Sequence, residues 1–449
     1  MLTGFLHFLY TFANNIIYTA CVTNIGKVRK MNPFEMKSKP VDAAFTSWSK
    51  IYPCSYNKMS ADPYTKTRII LMNGTEFEAN WFSHQFSRHC TDMDLKREIA
   101  VTRRVEKQQQ KIISCLKPID ESPLEHTIGY EQLAVDLTAI LAKREPDPHV
   151  KMALDFALLE DFDHLYRYAD LLEMDKGIKA EQLVGRYTEI MPGRPTIAEH
   201  RYPYDNVKPK TDFKTAAPIT KLNVSIITAA EQQTMNYYMN IAPFYHNDIG
   251  RRLYQEIGLI EEQHVSQYES LMDPNATWLE MMLMHEYCEC YLYYSCYMDE
   301  KDNGIKMLWE QFYEQEVSHL HKAAELLAKY ENKQWQAVIP DGNFPELLCF
   351  HENIDYIRDV LKNTITKTSY FDEYPEIDKL PDNAGYFFFQ DVLNCDVSCV
   401  PSHQVIDKYI KEKGMDYRYE TAEHPVPELR NRKIDNTSIA RCKNSVCVG

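Results

Sequence analysis

Glycine is scarce in this chain, 14 residues in 449, and no two cysteines form a Cys-x-x-Cys pair. Few glycines mean few places where the backbone turns freely, which suits long helices. The twelve cysteines are scattered, and the C-terminal spacings Cys395-x-x-x-Cys399 and Cys442-x-x-x-x-Cys447 do not fit a standard zinc site. Cys288, Cys290 and Cys296 share one helical stretch where i, i+2 neighbours do not pair easily, so the thiols read as reduced and the setting as cytoplasmic. Basic residues are outnumbered, 50 Lys and Arg against 65 Asp and Glu, and the net charge of −15 argues against a nucleic-acid partner. Residues 4–21 form an apolar run with no Lys or Arg before it and with Asn14 and Asn15 inside it. That pattern fits neither a secretory leader nor a clean spanning helix, so a membrane anchor is not expected. Met31-Asn32-Pro33 follows as a more ordinary N-terminus.

Acidic residues and tyrosines are plentiful, and between Glu231 and His319 the acidic ones repeat a spacing. Glu231 is followed thirty positions later by Glu261-x-x-His264, and Glu286 by Glu316-x-x-His319. A Glu and a His at i and i+3 lie on one helix face. Helical periodicity sets Glu231 with Met235, Tyr238 and Ala242, and Glu261 and His264 with Ile257, Tyr268 and Leu271. It sets Glu286 and Glu289 with Met282 and Tyr293, and Glu316 and His319 with Phe312 and Ala323. These are core-facing stripes, so five carboxylates and two imidazoles point inward. Burying them unpartnered costs several kcal/mol each, and metal cations remove that cost. Each candidate lies ten to seventeen residues from a turn, so up-down helices bring all of them near one level. Two helices bearing Glu-x-x-His plus a Glu from each of two others are the ligand set of a carboxylate-bridged di-metal bundle.

Here the chain resembles the rubrerythrins, within the ferritin-like superfamily, over about residues 225–330, a quarter of its length. Ala230-Glu231-Gln232-Gln233 with Tyr238 looks like the first helix, Glu261-x-x-His264 like the second, His285-Glu286-Tyr287-Cys288-Glu289 like the third and Glu316-x-x-His319 like the fourth. The resemblance implies an all-α fold with a ferritin-like antiparallel four-helix bundle. It implies two iron ions, or manganese, held by Glu231, Glu261, His264, Glu286, Glu289, Glu316 and His319. Bridging falls to positions such as Glu261, Glu316 or the third helix, and Glu289 is a ligand that exchanges with oxidation state. Tyr238 and Tyr294 are the tyrosines placed by resemblance to touch a ligand or relay an electron. Rubrerythrins usually carry a rubredoxin-like domain with two Cys-x-x-Cys pairs, and this chain has none. The implied activity is therefore a di-iron oxidoreductase acting on H2O2 or O2, with electrons from a separate donor protein. Iron handling by ferroxidase or detoxification chemistry, and a metal-free scaffold, are the alternatives.

A second repeat lies one hundred residues upstream. Glu131-Gln132 matches Glu231-Gln232, Asp161-x-x-His164 matches Glu261-x-x-His264, and Tyr168 matches Tyr268. Asp161 and His164 share the stripe of Leu154 and Ala157, away from a polar stripe of Glu160, Asp163 and Arg167. Such repetition signals duplicated hairpins, at 124–173, 224–272 and 277–330. Asp is shorter than Glu and no fourth helix is evident for the first copy. It is expected to pack without a full metal site, compensated by a His–carboxylate contact or by Arg103 or Arg104. Two chains could otherwise join such hairpins across a homodimer axis.

The resulting division is a mostly irregular extension at 1–91, a helical region with the degenerate hairpin at 92–175, and a Pro-rich connector at 176–222. The bundle at 223–332 and an extension at 333–449 with short helices at 344–363 and 402–413 follow. The connector is too long to be idle and reads as a strap over the bundle, with His200-Arg201-Tyr202 in a solvated loop or at a substrate entrance.

Overall fold

Each long helix begins at a capping side chain or an N-terminal proline. Asp62 accepts from the Tyr64 amide ahead of Pro63, and Asp147 accepts from the His149 amide ahead of Pro148. Ser122 with Glu125, and Thr277 with Glu280, form reciprocal capping boxes. The computed structural model describes residues 31–415, 418 and 422–430. The apolar run at 4–21 and the Cys442/Cys447 pair lie outside them. Eight long helices result: α1 (Pro63–His89), α2 (Met93–Ser114), α3 (Pro123–Arg144), α4 (Pro148–Lys176), α5 (Pro218–Ile241), α6 (Asp248–Ser270), α7 (Trp278–Asp299) and α8 (Asn303–Glu331). Shorter helices α9 (Ile354–Thr364), α10 (Gly385–Leu393) and α11 (Pro401–Lys413) follow. Among the described residues the fold is all-helical, with two isolated antiparallel bridges and no strand. No described helix is long and apolar enough to cross a membrane.

Short connections make α1–α2, α3–α4, α5–α6 and α7–α8 antiparallel hairpins. Their pairing is nested. The two inner hairpins, α3–α4 and α5–α6, pack as one four-helix group, and the two outer ones, α1–α2 and α7–α8, pack as another. Helix α1 lies against α3 and α5 and joins the groups, and one hydrophobic core runs through both.

This corrects the sequence-based division in two places. Residues 223–332 do not close on themselves: α5–α6 and α7–α8 face different partners. The spacing fixes a ligand's level along its helix, but any two hairpins with apolar stripes satisfy it equally. Within the described part of 1–91, residues 31–91, the long helix α1 occupies Pro63–His89, where irregular structure was expected. That helix buries Thr65, Thr67, Arg68, Thr75 and Glu76 alongside Ile69, Ile70, Leu71 and Met72, so it has no clean polar face to reveal it.

The connector does strap the bundle, but its middle is not solvated. Glu199, His200 and Arg201 are buried, His200 faces Glu256 of α6 at 3.0 Å, and the Arg201 amide donates to Gln263 at 2.7 Å. After Lys333 the chain runs extended past α7, where Tyr287 and Tyr291 donate to the carbonyls of Asn343 and Glu346. The helix expected over 344–363 is therefore confined to α9, while the one at 402–413 coincides with α11.

Candidate metal centres

In the inner group the inward stripes of all four helices meet. Glu131 from α3, Asp161 and His164 from α4, Glu231 from α5, and Glu261 and His264 from α6 are all buried. Glu261 stands between the imidazoles, with Oε1 3.0 Å from His164 Nδ1 and Oε2 3.1 Å from His264 Nδ1. Asp161 Oδ1 is 3.2 Å and Glu231 Oε2 3.6 Å from the same His264 nitrogen, and Glu131 Oε2 is 4.0 Å from His164 Nδ1. Ligand atoms fall into two groupings, each within 4.8 Å: Glu131, His164 and Glu261, and Asp161, Glu231, Glu261 and His264. Glu261 belongs to both. We call this centre A.

Its surroundings orient the imidazoles. His264 Nε2 faces Glu160 at 2.8 Å, and Glu160 is paired with Arg201 and, at 3.4 Å, with Arg194. His164 Nε2 faces Glu199, carried in by the connector, at 3.5 Å. A carboxylate accepting from the outer N–H leaves the inner lone pair free for a cation. Tyr238 donates to Glu131 Oε1 at 2.5 Å. Burial pushes the carboxyls of Glu131 and Glu231 well above their usual range, and the neighbouring carboxylates Asp161 and Glu261 add to it. Glu261 is equally buried, yet contacts from His164 and His264 hold it far below that range. Burial also opposes the charge on Glu160, but Arg201 and His264 hold it at about 2. Oδ2 of Asp161, both oxygens of Glu231 and Oε2 of Glu131 lack a hydrogen-bond partner, and Asp161 Oδ1 has only its 3.2 Å contact with His264. Among the described residues no Lys or Arg pairs with a centre A ligand; the arginines reach Glu160 instead. Buried carboxylates with unmet acceptors and no Lys or Arg partner are a donor set that could hold metal ions.

The outer group repeats the arrangement. Glu76 from α1, Glu106 and Gln109 from α2, Glu286 and Glu289 from α7, and Glu316 and His319 from α8 are buried together. Tyr293 donates to Glu76 here as Tyr238 does to Glu131. We call this centre B.

The seven ligands expected from the sequence therefore do not converge. Glu231, Glu261 and His264 lie in centre A, and Glu286, Glu289, Glu316 and His319 lie in centre B. Glu131, Asp161 and His164 complete centre A within one chain, where an incomplete site was expected, because α5–α6 supplies the second hairpin. Arg103 donates to Ser83 and Ser87 and Arg104 is exposed, so neither compensates them. Tyr238 lies at centre A, whereas Tyr294 packs on Tyr313 and Phe344. Its neighbour Tyr293 is the one that reaches a buried carboxylate. Glu76, Glu106, Gln109, Glu160 and Glu199 escaped the sequence reading. The first three carry a legible signal, since Glu76 precedes Glu106-x-x-Gln109 by the same thirty residues. No protein-family model, curated protein or solved structure matches the chain.

Proposed function

We propose that the protein is a di-metal oxidoreductase of ferritin-like architecture whose working site is centre A, holding two iron or manganese ions. The observation that carries this reading is Glu261 placed between His164 and His264, with Glu131 on one side and Asp161 and Glu231 on the other. The donor set is mixed imidazole and carboxylate, the type that suits iron and manganese. Bound metal would supply the electrons that reduce peroxide or O2, and a separate donor protein would return them.

The chain's own residues do the rest. Glu160 holds the His264 imidazole in register and in the right tautomer, and Glu199 stands 3.5 Å from the outer nitrogen of His164. Arg201 and Arg194 keep Glu160 ionised, so it remains an acceptor. Tyr238 holds a proton at Glu131 Oε1, next to the ligands and shielded from bulk water. No two of the described cysteines form a disulfide with each other, which accords with a reducing, cytoplasmic setting.

Anaerobic loading with Fe(II), followed by stopped-flow mixing with H2O2 and with O2, tests the proposal. Wild type is expected to oxidise rapidly with at least one of them. Glu261→Ala should abolish the reaction, because that carboxylate serves both positions. Wild-type oxidation rates in Glu261→Ala would place the chemistry elsewhere.

A further inference from the structure

Centre B is independent of the reading just given, because it is built from α1, α2, α7 and α8 alone. Glu106, Glu286 and His319 bring ligand atoms within 4.8 Å of one another, and so do Glu286, Glu289 and Glu316. Five carboxylates, counting Glu76, surround one imidazole, and each of these six side chains is at most 2% exposed. Both oxygens of Glu289, one each of Glu76, Glu106 and Glu286, and Nε2 of His319 lack a hydrogen-bond partner. His319 Nδ1 is 2.9 Å from Glu316 and 3.8 Å from Glu286, and His285 Nε2 is 3.4 Å from Glu289, but two imidazoles cannot neutralise five acids. Among the described residues no Lys or Arg pairs with any of the five. Unmet acceptors at this density call for a cation.

We infer that centre B is a second metal centre, weaker and more exchangeable than centre A. Two differences set its character. Gln109 stands at the helix position where centre A has a histidine, and its amide donates to Glu316 at 2.5 Å. The ligand set thus offers one imidazole instead of two, leaving one position with Glu106, Glu286 and His319 and the other with carboxylates only. Oxygen-only sites favour hard divalent ions such as Mn2+. Nε2 of His319, the only imidazole of that set, has no hydrogen-bond partner; in centre A the same is true of His164, but His264 keeps its Glu160 contact. Loss of such an orienting carboxylate lowers metal affinity roughly ten- to a hundredfold.

Centre B also has a way out. A cleft open to solvent is walled by His285, Phe82, Met281, Met284 and Thr75. The His285 ring stacks on Phe82, with Nδ1 3.1 Å from Glu78 and Nε2 3.4 Å from Glu289. One imidazole therefore separates an orphaned ligand of centre B from the cleft. Movement of that ring would let water or an ion reach Glu289.

Anaerobic titration of the full chain with Mn(II), counting bound ions by electron paramagnetic resonance, tests the inference. Wild type is expected to bind more than two ions per chain in two affinity classes, the weaker removed first by a chelator. The weaker class should vanish in Glu286→Gln/His319→Ala and persist in His264→Ala. Circular dichroism and a Mn(II)-dependent rise in melting temperature establish that each variant is folded. Should the double variant not fold, Glu289→Gln alone must weaken the second class about tenfold or more. Unchanged binding in a folded centre B variant, or saturation by a single class indifferent to these changes, would overturn the inference. A single class lost with His319 but kept in His264→Ala would uphold centre B and contradict the assignment of centre A.

Discussion

Glu160 shows what one residue's position means. It directly precedes the candidate ligand Asp161 yet points to the opposite side, where it meets His264 Nε2 and two arginines. Periodicity assigns it, with Asp163 and Arg167, to a polar stripe, and that assignment of faces is right. What periodicity cannot supply is the cover: all three are fully buried because the connector lies over them. Glu160→Gln is expected to lower centre A metal affinity roughly ten- to a hundredfold while leaving centre B unchanged, as read by metal titration. Tyr238→Phe should cost less, since it removes one hydrogen bond to Glu131 and no ligand. Asp136, five positions after Glu131, gives a separate pH signature. Burial raises its carboxyl from 3.8 to about 7, even though it accepts from Thr188, Asn353 and Tyr64. Between those values the folded chain binds a proton that the unfolded chain has released, so stability falls as pH rises. The loss is on the order of 4 kcal/mol by pH 7 and above. In Asp136→Asn this downward slope in melting temperature between pH 4 and 7 should disappear.

At the scale of elements, the repeated unit is a hairpin with a Glu on its first helix and an acidic-x-x-His or acidic-x-x-Gln set on its second. Hairpins three and four were legible from the Glu-x-x-His pairs, and hairpin two from its hundred-residue offset. Hairpin one was hidden, because Gln109 breaks the motif and α1 buries polar and apolar residues alike. The connector is the element on which both orienting carboxylates depend. Its Gly193 donates to Asp163 at 2.8 Å, and a Cβ there would sit 2.6 Å from the Leu159 carbonyl oxygen. Those neighbours are helix backbone and cannot step aside. Gly193→Ala should therefore destabilise the fold by about 1–3 kcal/mol. It should also loosen the seat of Glu199 and Arg201, measurable as a lower melting temperature together with weaker metal binding at centre A.

The whole molecule joins four hairpins by nesting, second with third and first with fourth. Sequence order favours neighbours in the chain, and the spacing is silent on partners, so the nested pairing was not legible even where every helix was. Each candidate centre draws its residues from two hairpins, so metal bound there would tie the hairpins of its group together. At a free concentration a hundred times the dissociation constant, one ion adds about 2.7 kcal/mol to stability. Fe(II) or Mn(II) should accordingly raise the melting temperature, and a chelator should reverse the rise. The central claim is that α3–α4 and α5–α6 of a single chain enclose a di-metal site. Anomalous diffraction at the iron edge, from crystals loaded anaerobically, tests it most directly. The account predicts two peaks about 3.5–4 Å apart, flanking Glu261, one beside His164 and the other beside His264. An anomalous map with no peak between those histidines, their carboxylates meeting only one another and protons, would contradict it.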